Sequence, residues 1–142
     1  GLDQLKNLNQ IQQRRERIAK KYYNEIKKHK KYFFSYFPKE DTKSAWYRFY
    51  FFLKTDLKNY KTIRFKLMAL LKQKNIKCFT GSCPEIYLEK SFKKLNKFKI
   101  KRLRVCKLLG ETSIALDLNH TLSNSLLKKN LVNFKKIKQK II

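Results

Sequence analysis

Gly81-Ser82-Cys83-Pro84-Glu85-Ile86-Tyr87-Leu88-Glu89-Lys90 and, further along, Leu109-Gly110-Glu111-Thr112-Ser113-Ile114-Ala115-Leu116 are the stretches whose reading decides the fold. They hold Glu85, Glu89 and Glu111, three of only ten acidic residues, and two of the three glycines. The first follows a short strand over 76–79, turns through 80–84 and enters a helix over 85–95. Pro84 opens that helix, and Glu85 suits its positive start. The second ends a helix over 100–109, places Gly110 at the C-terminal cap and enters a strand over 113–118. One is a strand-to-helix loop and the other a helix-to-strand turn within one small domain.

The rest of the chain reads outward from these. Leu2, Leu5, Leu8, Ile11, Ile18, Tyr22 and Ile26 recur at helical spacing and predict a long first helix over 2–30. Arg14, Arg15, Arg17, Lys20 and Lys21 lie mostly off that stripe, as a solvated face or a phosphate- or partner-facing one. Residues 31–44 form a connector in which Pro38 blocks helix and 32–37 could pair as a short edge strand. Residues 45–53, Ala-Trp-Tyr-Arg-Phe-Tyr-Phe-Phe-Leu, are the clearest strand, apolar on both faces and therefore expected to be central and covered on both sides. A helix over 62–74 carries Ile63, Leu67, Leu70 and Leu71. Ser123 is a good N-cap for a last helix facing the core with Leu127, Leu131, Phe134, Ile137 (or the stem of Lys138) and Ile141. The predicted fold class is α+β: residues 1–142 as a single domain, with a small three-stranded, mainly antiparallel sheet, helices mostly on one face, and long terminal helices.

Composition bounds the possible functions. The 142 residues suffice for one core, and 42% apolar content argues against disorder despite a net charge of +26. No apolar run approaches a membrane span and no leader opens the chain, so a cytoplasmic protein is expected. The chain starts at Gly1, and its first residues already read as helix interior, as in a piece of something longer or a trimmed product. The charge raises a nucleic-acid reading. Of 36 basic residues, however, only seven are Arg, the better phosphate and base reader. Abundant Lys, Asn and Ile also point to AT-rich coding drift. The aromatic strand offers a base-stacking platform in principle, but the sequence shows no second aromatic strand beside it. Cys78, Cys83 and Cys106 are an odd number with no zinc spacing.

No self-sufficient catalytic constellation is visible. Cys83 with His120 would make a nucleophile–base pair only if the fold brings them together. Glu85 and Glu89, four apart, are an acid/base pair or, more simply, partners of Lys90, Lys93 or Lys94. The best ligand-contacting stretch is Gly81, Ser82 and Cys83. There Gly81 permits close backbone approach, and Ser82 offers a hydroxyl at a helix start.

Several motifs together resemble the C-terminal small domain of DegT/DnrJ/StrS-type sugar aminotransferases. Gly1-Leu2-Asp3-Gln4-Leu5, then Gln12-Gln13-Arg14-Arg15-Glu16-Arg17 and Tyr22-Tyr23, resemble that family's helix leaving its large domain. Ser44-Ala45-Trp46-Tyr47 resembles its His-Ala-Trp-Tyr-like strand start, with Ser44 in place of His. Leu118-Asn119-His120-Thr121-Leu122-Ser123 resembles the His-Pro-Thr-Leu run before the last helix. The Gly-Ser-Cys-Pro-Glu-Ile-Tyr run joined to Gly-Glu-Thr-Ser is the most specific. The resemblance implies the aspartate-aminotransferase fold and a pyridoxal phosphate (PLP) cofactor. It implies amino transfer, usually from glutamate, to a nucleotide-linked keto sugar for surface polysaccharide, lipopolysaccharide or related products, carried out by a homodimer. It places the Schiff-base lysine and the aspartate facing the pyridinium nitrogen in the large domain. No lysine here stands in the matching motif, so the chain alone is expected to be catalytically silent and to hold no cofactor. Gly81, Ser82 and Cys83 occupy the position of a substrate-approaching loop that often carries His-Tyr.

Overall fold

The computed structural model describes residues 2–95 and 101–141. Its sheet grows from β2 (Arg48–Leu53), whose burial alternates with the period of a strand: Phe49, Phe51 and Leu53 are fully buried, while Arg48, Tyr50 and Phe52 are half-buried. β1 (Phe33–Phe34), β3 (Cys78–Phe79) and β4 (Ser113–Asp117) complete it in the order β1-β2-β4-β3, every pair antiparallel. Four strands are therefore present, not the three expected. Phe33 pairs with Leu53 and Phe34 with Phe52. The pairing stops there because the Ser35 hydroxyl takes the Tyr50 carbonyl at 2.7 Å. β2 is internal, but its two faces are unequally covered: Arg48, Tyr50 and Phe52 stay half-buried, where both faces were expected to be covered. It also starts three residues later than expected, because Trp46 adopts a left-handed φ of 48°. The Trp46 amide donates to Ser44 Oγ, and the ring tucks against Phe37 at 4.8 Å.

Three helices close the covered face. The first predicted helix is broken into α1 (Leu2–Lys6) and α2 (Leu8–Lys27). Leu2, Leu5 and Leu8 are exposed, and burial begins with Ile18, Ala19, Tyr22 and Ile26. α3 (Tyr60–Gln73) buries Leu67, Met68 and Leu71, with Arg64 beside them. It ends where Asn75, at φ 57°, lets the Ile76 amide reach the Leu71 carbonyl at 2.9 Å. α6 (Asn124–Ile141) buries Leu127, Phe134 and Ile137, as its stripe predicts, and also Asn130. Ser123 caps it, accepting the Leu126 amide at 3.2 Å. Arg14, from the basic run of α2, donates to Asn124 Oδ1 and to the Leu122 carbonyl and so fixes the start of α6.

The excursion between β3 and β4 departs most from expectation. A single 3-10 turn (Ile86–Leu88) and α4 (Lys90–Leu95) replace one helix over 85–95, because Glu89 is extended at φ −64°, ψ 147°. α5 (Arg104–Thr112) starts later than expected; Ile100 lies outside the described residues. Gly110 is not its cap but lies inside it. A Cβ there would collide with the Pro84 ring. The two diagnostic stretches thus meet at a Pro84–Gly110 contact.

Candidate functional site

The loop holding Gly81, Ser82 and Cys83 hangs from β3 and is anchored at its root by a buried arginine. Arg64 Nε donates to the Ser113 carbonyl at 3.0 Å and Nη2 to the Thr80 carbonyl at 3.3 Å. The Ser113 hydroxyl also donates to Thr80 O, at 2.9 Å. Burial pushes the Arg64 guanidinium below its ordinary pKa. Gly81 has φ 92°, and a Cβ there would lie 3.2 Å from the Tyr50 ring and 3.3 Å from Ser113 Oγ. The positive φ calls for glycine, and the space for a side chain is tight as well. Ser82 and Cys83 are exposed beyond it.

The acidic residues rare in this chain are committed to structure. Glu85 accepts two bonds from Arg102, at 2.9 and 2.8 Å, and one from the Tyr87 hydroxyl at 2.8 Å. Tyr87 in turn accepts the Leu103 amide. The Arg102 guanidinium holds the Glu85 carboxyl at about 2. Glu111 accepts from Lys61 and from the Tyr60 hydroxyl, each at 2.9 Å, and Lys61 draws its carboxyl below the usual range. Cys83 Sγ donates to Glu89 Oε1 at 3.1 Å, and that carboxylate keeps the thiol protonated by raising its pKa. Glu85 and Glu89 therefore do not act as an acid/base pair, and Glu85 pairs with Arg102 rather than with the lysines expected. Cys83 is engaged with Glu89, not with His120. Among the described residues no group of three His, Cys, Asp or Glu can hold a metal ion.

Arg64, Tyr50, Ser113 and Arg102 escaped the sequence reading. Arg64 had a signal: it precedes Leu67, Met68 and Leu71 at helical spacing, and a cation on a buried stripe demands partners. The aromatic strand also proves to have an aromatic neighbour, Phe34 on β1, while Phe79 on β3 lies beyond β4. A groove of about 680 Å³ opens elsewhere, between α2 and the connector, lined in part by Gln12, Glu16, Tyr23 and Trp46. None of Gly81, Ser82 or Cys83 lines it.

This arrangement is a braced loop, and among the described residues no nucleophile–base pair accompanies it. The profile of the DegT/DnrJ/EryC1/StrS aminotransferase family matches residues 1–130. The chain belongs to this family. Among solved structures, the aminotransferase from Psychrobacter cryohalolentis matches with TM-score 0.85 at 26% identity, over 99% of this chain and 38% of that one. Helicobacter pylori PseC, an aminotransferase of pseudoaminic acid biosynthesis, matches with TM-score 0.78 at 23% identity, over 99% and 36%. The E. coli GDP-4-keto-6-deoxy-D-mannose-3-dehydratase, solved with bound hydrated PLP, matches with TM-score 0.75 at 18% identity, over 94% and 33%. The last two are likenesses of fold. The chain thus spans well under half the length of each. A comparison with curated proteins finds no match. Nothing in these comparisons supports the nucleic-acid reading.

For a PLP-linked lysine the chemistry needs an enclosed amine whose charge is easily lost. Among the described residues no lysine is buried. Lys61 has the opposite property, its pKa raised by Glu111. None of the described lysines meets that requirement. Among the described residues no helix is long and apolar enough to cross a membrane.

Proposed function

We propose that this chain is the C-terminal, small-domain part of a PLP-dependent aminotransferase that aminates a nucleotide-linked keto sugar for surface polysaccharide or related biosynthesis. By itself it is catalytically inactive and holds no cofactor. One observation supports this most: the family profile covers residues 1–130, while the solved relatives run to more than twice this length. The chain's own contribution is the wall formed by Gly81, Ser82 and Cys83. Gly81 lets the backbone approach the substrate and Ser82 presents a hydroxyl. Arg64 and Ser113 hold the root of the loop. Glutamate as amino donor, a homodimeric complete enzyme and a cytoplasmic location belong to the same proposal.

The test is to mix the purified chain with PLP and reduce with borohydride. The expected result is no stable lysine-linked absorbance band and no single modified lysine. A band reducible at one site overturns the inactivity. Tight, salt-resistant binding to mixed-sequence DNA or RNA would overturn the whole reading in favour of a nucleic-acid module.

A further inference from the structure

The groove between α2 and the connector after β1 combines three features. Its floor is aromatic: Tyr23, Phe37 and Trp46 line it, with Phe37 between the other two at ring-centre distances of 5.1 Å and 4.8 Å. Its wall is rich in amides: Asn9, Gln12, Gln13 and Asn24 reach it along about 22 Å of α2, at ~1.5 Å per residue. Its charge nearly cancels, with Glu16 and Glu40 standing against Lys20, Lys39 and Lys43. The chain as a whole carries 36 basic residues to 10 acidic ones.

Backbone strain marks the same place. Trp46 holds φ at 48°, a conformation that a bulky side chain adopts only when its surroundings enforce it. Ser44 helps to enforce it by accepting the Trp46 amide at 3.2 Å, and Ser44 lines the groove as well. Strain of this kind gathers at sites that clamp ligands. The groove also lies away from the 81–83 loop. Trp46 stands two residues before Arg48, which pairs with Asp117 at one end of β4, whereas the loop is tied to Ser113 at the other end.

We propose that this groove is a second ligand site, for a short neutral saccharide. A sugar ring has an apolar C–H face, which aromatic rings can cover, and hydroxyls that both donate and accept. Asn and Gln side chains also do both. A few polar groups placed beside an apolar floor give a pocket its specificity. The volume of about 680 Å³ falls among small-molecule sites, which span about 300–1,000 Å³. The length of the wall suits several linked rings better than one. An anionic ligand would meet Glu16 and Glu40, and a cationic one the three lysines. A proline-rich peptide also fits aromatic grooves. Its prolines lack N–H donors, however, and so leave the Glu16 carboxylate and the amide oxygens unmatched. This site does not depend on the function proposed above, because it needs neither the cofactor nor the rest of the enzyme.

The chain has one tryptophan, so its fluorescence reports on this groove. The experiment titrates the 142-residue chain with maltotriose, cellotriose and triacetylchitotriose. At least one should change the Trp46 emission saturably, with the same affinity at low and high salt, since a neutral ligand feels no screening. Gln12→Ala with Asn24→Ala should weaken that affinity roughly tenfold and leave the melting temperature unchanged. Should the double variant melt lower, Gln13→Ala, exposed on α2, takes its place in the same comparison. The absence of a saturable change with all three saccharides overturns the proposal. So does a response only to a proline-rich peptide or to a sugar phosphate. Saccharide binding that the amide variants leave untouched puts the ligand elsewhere and overturns the site. None of these outcomes bears on the proposed function, which stands or falls by the PLP and borohydride test.

Discussion

On the covered face of the sheet, Phe33, Phe51 and Phe134 meet in a ring triad from β1, β2 and α6, with centroids 5.6 to 6.0 Å apart. On the open face, one residue along, Phe34 and Phe52 stack with Tyr36 at their edge and half-face solvent. The residue types are the same; what differs is the partner. The triad is completed by a helix of this chain, whereas the open rings are completed only by each other. The difference teaches that aromatic density marks the sheet without saying which face the chain itself will fill. Substitution separates the two. Phe51→Ala should cost about 3–5 kcal/mol, of the order of the whole stability of a small domain, and so unfold most of the chain. Phe52→Ala, one residue along, should cost about 1 kcal/mol. Urea midpoints of the two variants check this; equal losses would erase the distinction between the faces.

The covered face can also be compared with the loop region, which polar contacts rather than rings hold in place. Arg64→Met keeps the length of the side chain but removes the guanidinium donors to the Ser113 and Thr80 carbonyls, leaving Thr80 only the Ser113 hydroxyl. It should cost about 1–3 kcal/mol and speed amide exchange at Gly81, Ser82 and Cys83 more than anywhere in α2 or α6. A uniform rise in exchange would mean that Arg64 serves the core in general and not the loop. Gly110→Ala tests the same region by packing. Alanine favours the helix by about 1 kcal/mol, but its methyl meets Pro84, and overpacking of this kind costs about 1–3 kcal/mol. The net effect is a small loss, and adding Pro84→Ala should remove it, because residues in contact do not act additively. A loss that persists in the double variant would show that the Pro84 contact is not its cause.

The parts legible in the sequence were those governed by one local pattern. The stripe of α6 and its Ser123 cap were readable, as were β2, β4 and the span of α3 to within a few residues, because period and capping residues are written consecutively. The parts that were not legible depend on contacts across the chain. Gly110 looks like a helix cap until Pro84, twenty-six positions earlier in the sequence, is seen lying against it. Glu85 looks like a helix-start acid until Arg102 claims it. The fourth strand, Phe33–Phe34, lies inside the short edge strand that 32–37 allowed, but nothing within it reveals that Leu53 and Phe52 will be its partners. At the candidate site, sequence located the glycine-containing loop. It did not reveal that Arg64 from α3 and Ser113 from β4 converge on the Thr80 carbonyl, since such convergence is a property of the fold.

The smallest expected effect lies in the Glu85–Arg102 clip, and pH reads it. Arg102 lowers the Glu85 carboxyl from 4.5 to about 2 in the folded chain. A carboxyl depressed in this way stabilises the fold wherever it is ionised in both states, that is, above its unfolded value. The contribution is then lost as pH falls from about 4.5 towards 2, because the unfolded chain takes up the proton first. The clip is exposed and joins only the 3-10 turn to the segment before α5, so its loss should not move the urea midpoint of the covered face. It should instead appear locally: acidification through this window should raise exchange at the Leu103 amide, which Tyr87 holds beside the Glu85 carboxylate. In Arg102→Gln the same rise should already be present at neutral pH and should show little further change down to pH 2. An Arg102→Gln variant that retains wild-type protection at Leu103 would mean that Tyr87 alone fixes this segment and that the ion pair contributes nothing to it.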